Sequence, residues 1–508
     1  MDKWIKQMKS QWKAAFSGTF LIGFLTYFYT MSHHFLTYDS MWNLYSAQDM
    51  ITSGRQFLTY ACRISSDYDL PALNGILAIF YLSLTAVVLT EVFCVRNNLT
   101  AVLIGGLLVT FPSISSTFCY TYTIDGYMLA VLLTTVGFWL ANRSRHGWIA
   151  GIFLTGIALG IYQAYFAYLI VLCILVLLLD LLKEDSRKKL IVKAVKFILM
   201  GICGYLFYMV TLKIMLTIKG ISLSGYQGTD KVLGFSLKEI PKGLSAAFDS
   251  FYQFAAWGNV LTTTNVMKYM FVGLTVLGGL AYLICFISRK RYKDLFRLII
   301  GVLLVAAIPF GSNIVTIMSP LTTFHLLMRY SWVLFFVFVL AVAEQIEWKR
   351  ALKLENPVKA LVGIFTAVLI FEFSVMANIV AFNMEERYEK TYALCVRLVD
   401  RLEQTDGYKT GMKVAILGGF PNQTNYPATS ITEEDLYGYF GASGEYCVNS
   451  TQKIAEFCAH YLNVTLTTIP FEEEIELTGR EEFLEMEKFP DKESIRLIDD
   501  VWVIKLNG

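Results

Sequence analysis

GWIAGIFLTGIALGIYQAYFAYLIVLCILVLLLDLL, residues 147–182, decides how this chain is built. A single helix through it would be about 54 Å long at 1.5 Å per residue, against a hydrocarbon core of about 30 Å. Basic residues stand at both ends, Arg143 and Arg145 before it and Lys183 and Arg187 after it. Positive residues collect on the cytoplasmic side of a membrane, so the stretch crosses an even number of times. It folds back at Gly160-Ile161-Tyr162-Gln163-Ala164-Tyr165, which places that hairpin on the outer side.

Working outward from the hairpin, the same alternation runs along the chain. Of 508 residues, 55% are hydrophobic and 17% charged, and the mean hydropathy is +0.51, far from a soluble globular composition. Lys3, Lys6, Lys9 and Lys13 precede the first apolar run and put the N-terminus inside. Later basic clusters at 96, 143–145, 183–193, 289–297 and 349–359 fall in every second loop. This predicts a polytopic α-helical membrane protein of about 11 transmembrane helices, near 14–32, 73–93, 99–111, 126–141, 147–160, 164–182, 191–212, 268–288, 296–309, 326–344 and 358–381. The segment at 99–111 is short and ends at Pro112, which marks a broken or tilted helix. An odd number of crossings leaves the tail outside.

The tail differs in character. Residues 385–508 hold 23 Asp and Glu against 12 Lys and Arg, leaving 18 and 31 for the rest. A boundary at 384/385 therefore separates a transmembrane domain, 1–384, from an acidic extracytoplasmic α/β domain, 385–508. Its expected elements are helices at 386–404 and 454–462 and strands at 413–417, 464–468 and 501–506. Nine cysteines are scattered without CxxC or Cys/His spacing, which argues against structural zinc. Cys447 and Cys458 share the tail and can pair if it faces an oxidising space.

The outer loops concentrate the chemistry. The first carries Asp39, Asp49, Arg55, Arg63, Asp67 and Asp69, and the apolar positions 41, 44, 45, 47, 50 and 51 predict an interfacial helix that Ser53-Gly54-Arg55 ends. The second holds Asp125, either a cap for the following helix or a reserve acid. The third, 213–266, begins with Lys219 and a Gly-rich stretch, 219–228, that reads as flexible, and ends in an aromatic section, 248–257; it is a cover for a substrate or a passive connector. The fifth ends at His325 and Arg329. A cation at the start of a span costs about 2.5–3.5 kcal/mol on insertion scales, so Arg329 calls for an anionic partner, an internal carboxylate or a lipid phosphate.

The N-in multispan layout, the first-loop acid, Gly54-Arg55, the hairpin Leu159-Gly160-Ile161-Tyr162-Gln163-Ala164-Tyr165 and the α/β tail together resemble the type-II O-antigen glucosyltransferase family, within the GT-C class of membrane glycosyltransferases. Gly-Ile-Tyr-Gln-Ala-Tyr is the most distinctive part of the likeness, which covers residues 10–400. The resemblance implies a polyprenyl-phosphate-linked hexose, typically glucose on undecaprenyl phosphate, moved on the outer face of a bacterial plasma membrane to a cell-surface glycan. It implies no nucleotide sugar, cofactor or obligatory metal, and no nucleic-acid partner; the partners are the donor lipid, the glycan acceptor and membrane lipids. Many relatives carry adjacent acids where this chain has Asp39-Ser40, which favours a single base over a metal site.

On this reading Asp39 takes the proton of an acceptor hydroxyl, which attacks the anomeric carbon and inverts it. Arg329 and Arg55 steady the departing phosphate, with Arg63 and Lys219 in reserve and Asp125 as the reserve acid. Tyr162 and Gln163 contact the substrate or close the hairpin, and His325 is a further polar contact or a structural residue. A flippase or transporter of lipid-linked sugars, and a glycan polymerase or ligase, are the alternatives. A flippase would need ionisable residues along a path to the inner face, whereas here they gather outside.

Overall fold

A computed structural model describes residues 8–224, 240–257, 265–318, 324–345, 355–419 and 447–506. Of the features read from sequence, Lys3, Lys6, Lys231, Lys238, Lys349, Arg350, Lys353 and the Gly-rich positions 225–228 lie outside the described residues. The chain divides into two compact units, one of residues up to 34 and 45–379, the other of Phe35–Leu44 and residues from 380 on.

The first unit is helical. Among the described residues nine helices are long and apolar enough to cross a bilayer, or ten if a bent pair is one span. All eleven expected segments are helical, although Gly147–Ile161 has only 15 residues. The bent pair is Asn98–Thr110 with Pro112–Phe118, at 44°. Pro112 supplies the break because it has no N–H to continue the ladder. Local chemistry sets the other ends. Pro71 opens its helix at a position where a missing N–H costs nothing. The Asn97 side chain accepts from the N–H groups of Leu99 and Thr100, at 2.8 and 3.2 Å. The hairpin breaks as expected, Gly147–Ile161 ending before Tyr165–Lys183 begins.

Helix ends are gathered by ion pairs. Glu91 accepts from Lys9 at 2.7 Å and from the Trp12 indole at 2.8 Å, with Arg143 at 3.9 Å. Arg297 pairs with Asp294 at 3.0 Å and donates to the carbonyls of Leu181, Glu184 and Asp185. The residues that the charge alternation assigns to one side thus meet one another in these two groups.

Two expectations are corrected here. Residues 41–51 form no interfacial helix. Ser40–Trp42 and Ile51–Ser53 are single 3-10 turns, Gln48 has a positive φ of 51°, and Tyr45 makes an isolated bridge to Tyr68. The apolar stripe is used in packing without helical backbone, since Met41 and Ile51 are both buried. The span expected at 191–212 extends over Arg187–Lys219 and ends at Gly220, with φ 64°. Part of the expected third outer loop is therefore helix, and Ile240–Tyr252 forms another.

The second unit is a small α/β layer. Its sheet has the order β2-β1-β4-β3, with β1 (Lys413–Leu417) parallel to β2 (Thr467–Thr468) and β4 (Val501–Lys505), and β3 (Ile495–Ile498) antiparallel to β4. Strand alternation divides its apolar residues between two faces. Val414, Ile416, Trp502 and Ile504 pack with Leu36, Met41, Leu398 and Phe457, while Ala415, Leu417, Val501 and Val503 pack with Leu477 and Phe483. The expected helix at 386–404 is the end of one continuous helix, Glu355–Glu403. β3 was not anticipated, and 464–466 are not strand.

Candidate functional site

Two clusters carry the candidate residues, one in each unit. The first is built around Gly54. This residue closes the turn Ile51–Ser53 in the left-handed region, with φ 73°, and its N–H donates to the Ile51 carbonyl at 2.8 Å. A Cβ there would collide with the Gln163 amide and the Tyr208 hydroxyl, so glycine is needed for space as well as for φ. The Gln163 amide donates to the carbonyls of Ser53 and Gly54, at 2.9 and 2.7 Å, and Tyr208 donates to the same Gly54 carbonyl at 3.1 Å. Phe57 N–H donates to the Gly160 carbonyl at 2.8 Å. The hairpin and the first outer loop are thereby laced together.

Arg55 leaves this turn toward an aromatic pair. Its guanidinium donates to the Tyr127 hydroxyl at 2.9 Å and lies 4.9 Å from the Tyr162 ring centre. The rings of Tyr127 and Tyr162 stack at 4.4 Å and 15°. A guanidinium over a ring face is held by the ring quadrupole. Tyr162 therefore contacts Arg55, and Gln163 secures the loop that presents it. Both residues serve the hairpin junction, and Tyr127 joins them as a residue that sequence reading missed.

The other first-unit residues are placed as follows. Asp125 is not a cap: its helix begins at Thr121, and the buried carboxylate accepts from Ser65 at 2.7 Å and from the Gly126 N–H at 2.9 Å. Asp69, also buried, pairs with His34 at 3.2 Å. Lys219 forms an ion pair with Asp49. Arg63 pairs with Asp67 at 2.9 Å on the surface, and that hydrogen bond raises its pKa. Arg329 donates to the Phe324 carbonyl and, at 2.8 Å, to the Ser250 hydroxyl, and it lies over the rings of Phe324 and Trp332 at 4.5 and 4.9 Å. Burial, reinforced by Arg329, lowers the pKa of His325.

Asp39 belongs to the second unit. It heads the turn Ser40–Trp42, and its carbonyl accepts from the Trp42 N–H at 3.2 Å and the Asn43 amide at 2.8 Å. The Thr37 and Ser40 hydroxyls, 2.9 Å apart, brace the turn. From the helix Thr451–Phe457 comes Lys453, only 1% exposed, with its ammonium 3.7 Å from the Trp42 ring centre and 5.0 Å from that of Tyr38. Among the described residues its Nζ has no hydrogen-bond partner. Burial pulls its pKa down to about 8, against the opposing fields of Glu456 and Asp39.

Lys453 is the second residue that sequence reading missed. One signal for it exists: a lysine three residues after the capping Ser450 sits in the first helical turn, where the dipole disfavours a cation. A partner elsewhere must offset that cost, and the Trp42 ring and the Asp39 field do so here.

A model of the family described as Glucosyl transferase GtrII matches residues 28–342, and the chain belongs to that family. The match spans Asp39, Arg55, Asp125, Tyr162, Gln163, Lys219, His325 and Arg329, and it ends before Lys453. No curated protein matches the chain. With its membrane-capable helices, the protein is by family a multi-pass membrane glycosyltransferase of the glucosyl-transferring kind.

Proposed function

We propose that this glycosyltransferase moves glucose from a polyprenyl-phosphate donor to a cell-surface glycan, on the extracytoplasmic face of a bacterial plasma membrane and with inversion. One observation carries the choice of a lipid-linked donor. An apolar cavity of about 550 Å³ opens between the helices Tyr165–Lys183, Arg187–Lys219 and Leu295–Ser312, lined by residues such as Phe166, Ile170, Ile198 and Leu303. Phe166, at one end of it, packs on the cluster of Ile51, Leu159 and Tyr208 that underlies the Gly54 turn. An isoprenoid tail entering that cavity leads its phosphate toward the loop presenting Arg55.

In this reading Arg55 takes the phosphate as the anomeric bond breaks, because a guanidinium offers a planar fork of donors to its oxygens. Arg329 is the second such cation. Asp39 is the base for the acceptor hydroxyl, at the head of a turn where the residue is partly exposed. The GT-C class assignment, the extracytoplasmic tail and the divide at 384/385 belong to the same proposal.

The test is transfer of radiolabelled glucose from undecaprenyl-phosphate-glucose to cell-wall glycan by the purified chain. Wild type transfers label and Asp39→Asn does not. Equal transfer by both removes Asp39 and passes the role to Asp125. Movement of intact donor across a vesicle bilayer without transfer would instead establish the flippase alternative.

A further inference from the structure

The turn that carries Asp39 has a second feature. Trp42 is 57% exposed, although the Lys453 ammonium stands 3.7 Å from its ring centre and occupies one face. The opposite face is what remains open. Asp39 and Trp42 are three residues apart in a 3-10 turn closed by the Trp42 N–H to Asp39 carbonyl bond. In that geometry positions i and i+3 lie in line along the turn, so Asp39 and Trp42 share one edge of it. Lys453 feels both, through the ring and through the Asp39 charge.

We propose that Trp42 is the platform on which the terminal sugar of the acceptor glycan stacks, backed by Lys453 and beside Asp39. The indole face is electron-rich, and the C–H groups on one face of a pyranose carry the complementary partial charge. Asp39 and Glu456 put negative potential around the ammonium, and the residues from 385 on carry an excess of acids. That environment repels phosphates and uronic acids, which selects a neutral pyranose. A ring lying on Trp42 presents an equatorial hydroxyl at the edge that Asp39 shares. A lysine clamped behind the indole fixes its plane, so the stack forms without first ordering a mobile ring. The inference deepens the glycosyltransferase reading and rests on it for the role of Asp39.

The test uses the full-length protein in nanodiscs. Binding of fluorescein-labelled cell-wall glycan is measured without donor, and transfer is measured at varied glycan and fixed undecaprenyl-phosphate-glucose. Trp42→Ala is expected to weaken glycan binding and raise the acceptor KM by about five- to tenfold, with donor KM within about twofold. Trp42→Phe, which keeps a ring, falls between, and Lys453→Met gives a smaller loss of the same kind. Unchanged glycan affinity in Trp42→Ala overturns the platform, and the exposed indole is then an interfacial anchor. Glycan binding that depends on Trp42, together with undiminished transfer by Asp39→Asn, leaves the platform standing and removes the base assignment. The two ideas therefore fail separately.

Discussion

The Gly54 cluster and the Asp39 turn solve opposite problems. Around Gly54, a side-chain amide and a phenol converge on backbone carbonyls and a guanidinium rests on a stacked tyrosine pair. Around Asp39, backbone bonds hold a three-residue turn that carries an exposed indole with a buried ammonium against its ring. The first arrangement fixes a cation in place, as recognition of a phosphate requires. The second leaves an indole largely exposed, as the proposed acceptor site requires. Rigidity and exposure are thus divided between two clusters rather than combined in one.

The comparison breaks first at Asp39. Asp39→Asn is expected to lower the rate of transfer by about 10²–10⁴-fold with the folded state intact, measured as label transferred at saturating glycan. A loss confined to glycan KM would make Asp39 a binding group instead. Next is Gly54→Ala, which combines a left-handed φ with a collision against Gln163 and Tyr208. It should destabilise by about 2–4 kcal/mol. Gly220→Ala, with φ 64° and open space around it, should cost only about 1–2 kcal/mol. Thermal unfolding in detergent ranks the two, and equal losses would show that packing at Gly54 is unimportant.

A smaller effect is expected at Arg55. Arg55→Lys keeps the charge but loses the planar contact with Tyr162, so donor KM should rise about tenfold at unchanged glycan KM. Change in the opposite parameter would exchange the roles of the two clusters. The pH dependence of the Asp39 turn is gentler still. Lys453, with its pKa near 8, is a cation below that value and neutral above it, under the fields of Asp39 and Glu456. Its attraction to Trp42 is therefore present at pH 7 and lost as pH rises past 8. Acceptor KM should rise severalfold from pH 7 to 9 in wild type and stay flat in Lys453→Met. The smallest effect is at Cys94, exposed and remote from both clusters in sequence. Maleimide on Cys94 should leave transfer unchanged. An impermeant reagent should reach it only after the membrane is opened, because the charge pattern puts that loop inside.

Much of the helical unit was legible because each span is a local property: twenty apolar residues declare themselves wherever they stand. The break at Pro112 and the hairpin at 160–165 were legible for the same reason. Asp125 was misread as a possible cap because its position within a helix depends on where the preceding turn ends, and Tyr120 rather than Asp125 heads that helix. The stripe at 41–51 was misread because periodicity registers burial, and burial here comes from packing around separate turns. Arg55 was noticed as a cation after a glycine stop, but its partners come from elsewhere, Tyr127 from the helix Thr121–Arg143 and Tyr162 from the extended residue after Ile161.

By itself the sequence determined the apolar helices, the alternation of charge between loops, the acidic tail and the family to which the chain belongs. Each of these is a sum over neighbours along the chain. Tertiary structure alone decided that Gln163 and Tyr208 close on Gly54, that Arg55 lies against Tyr162, and that Lys453 stands behind Trp42. Those contacts join residues far apart in the chain, and their strength depends on distance, ring orientation and exclusion of water. None of these is a property of a residue's neighbours in sequence.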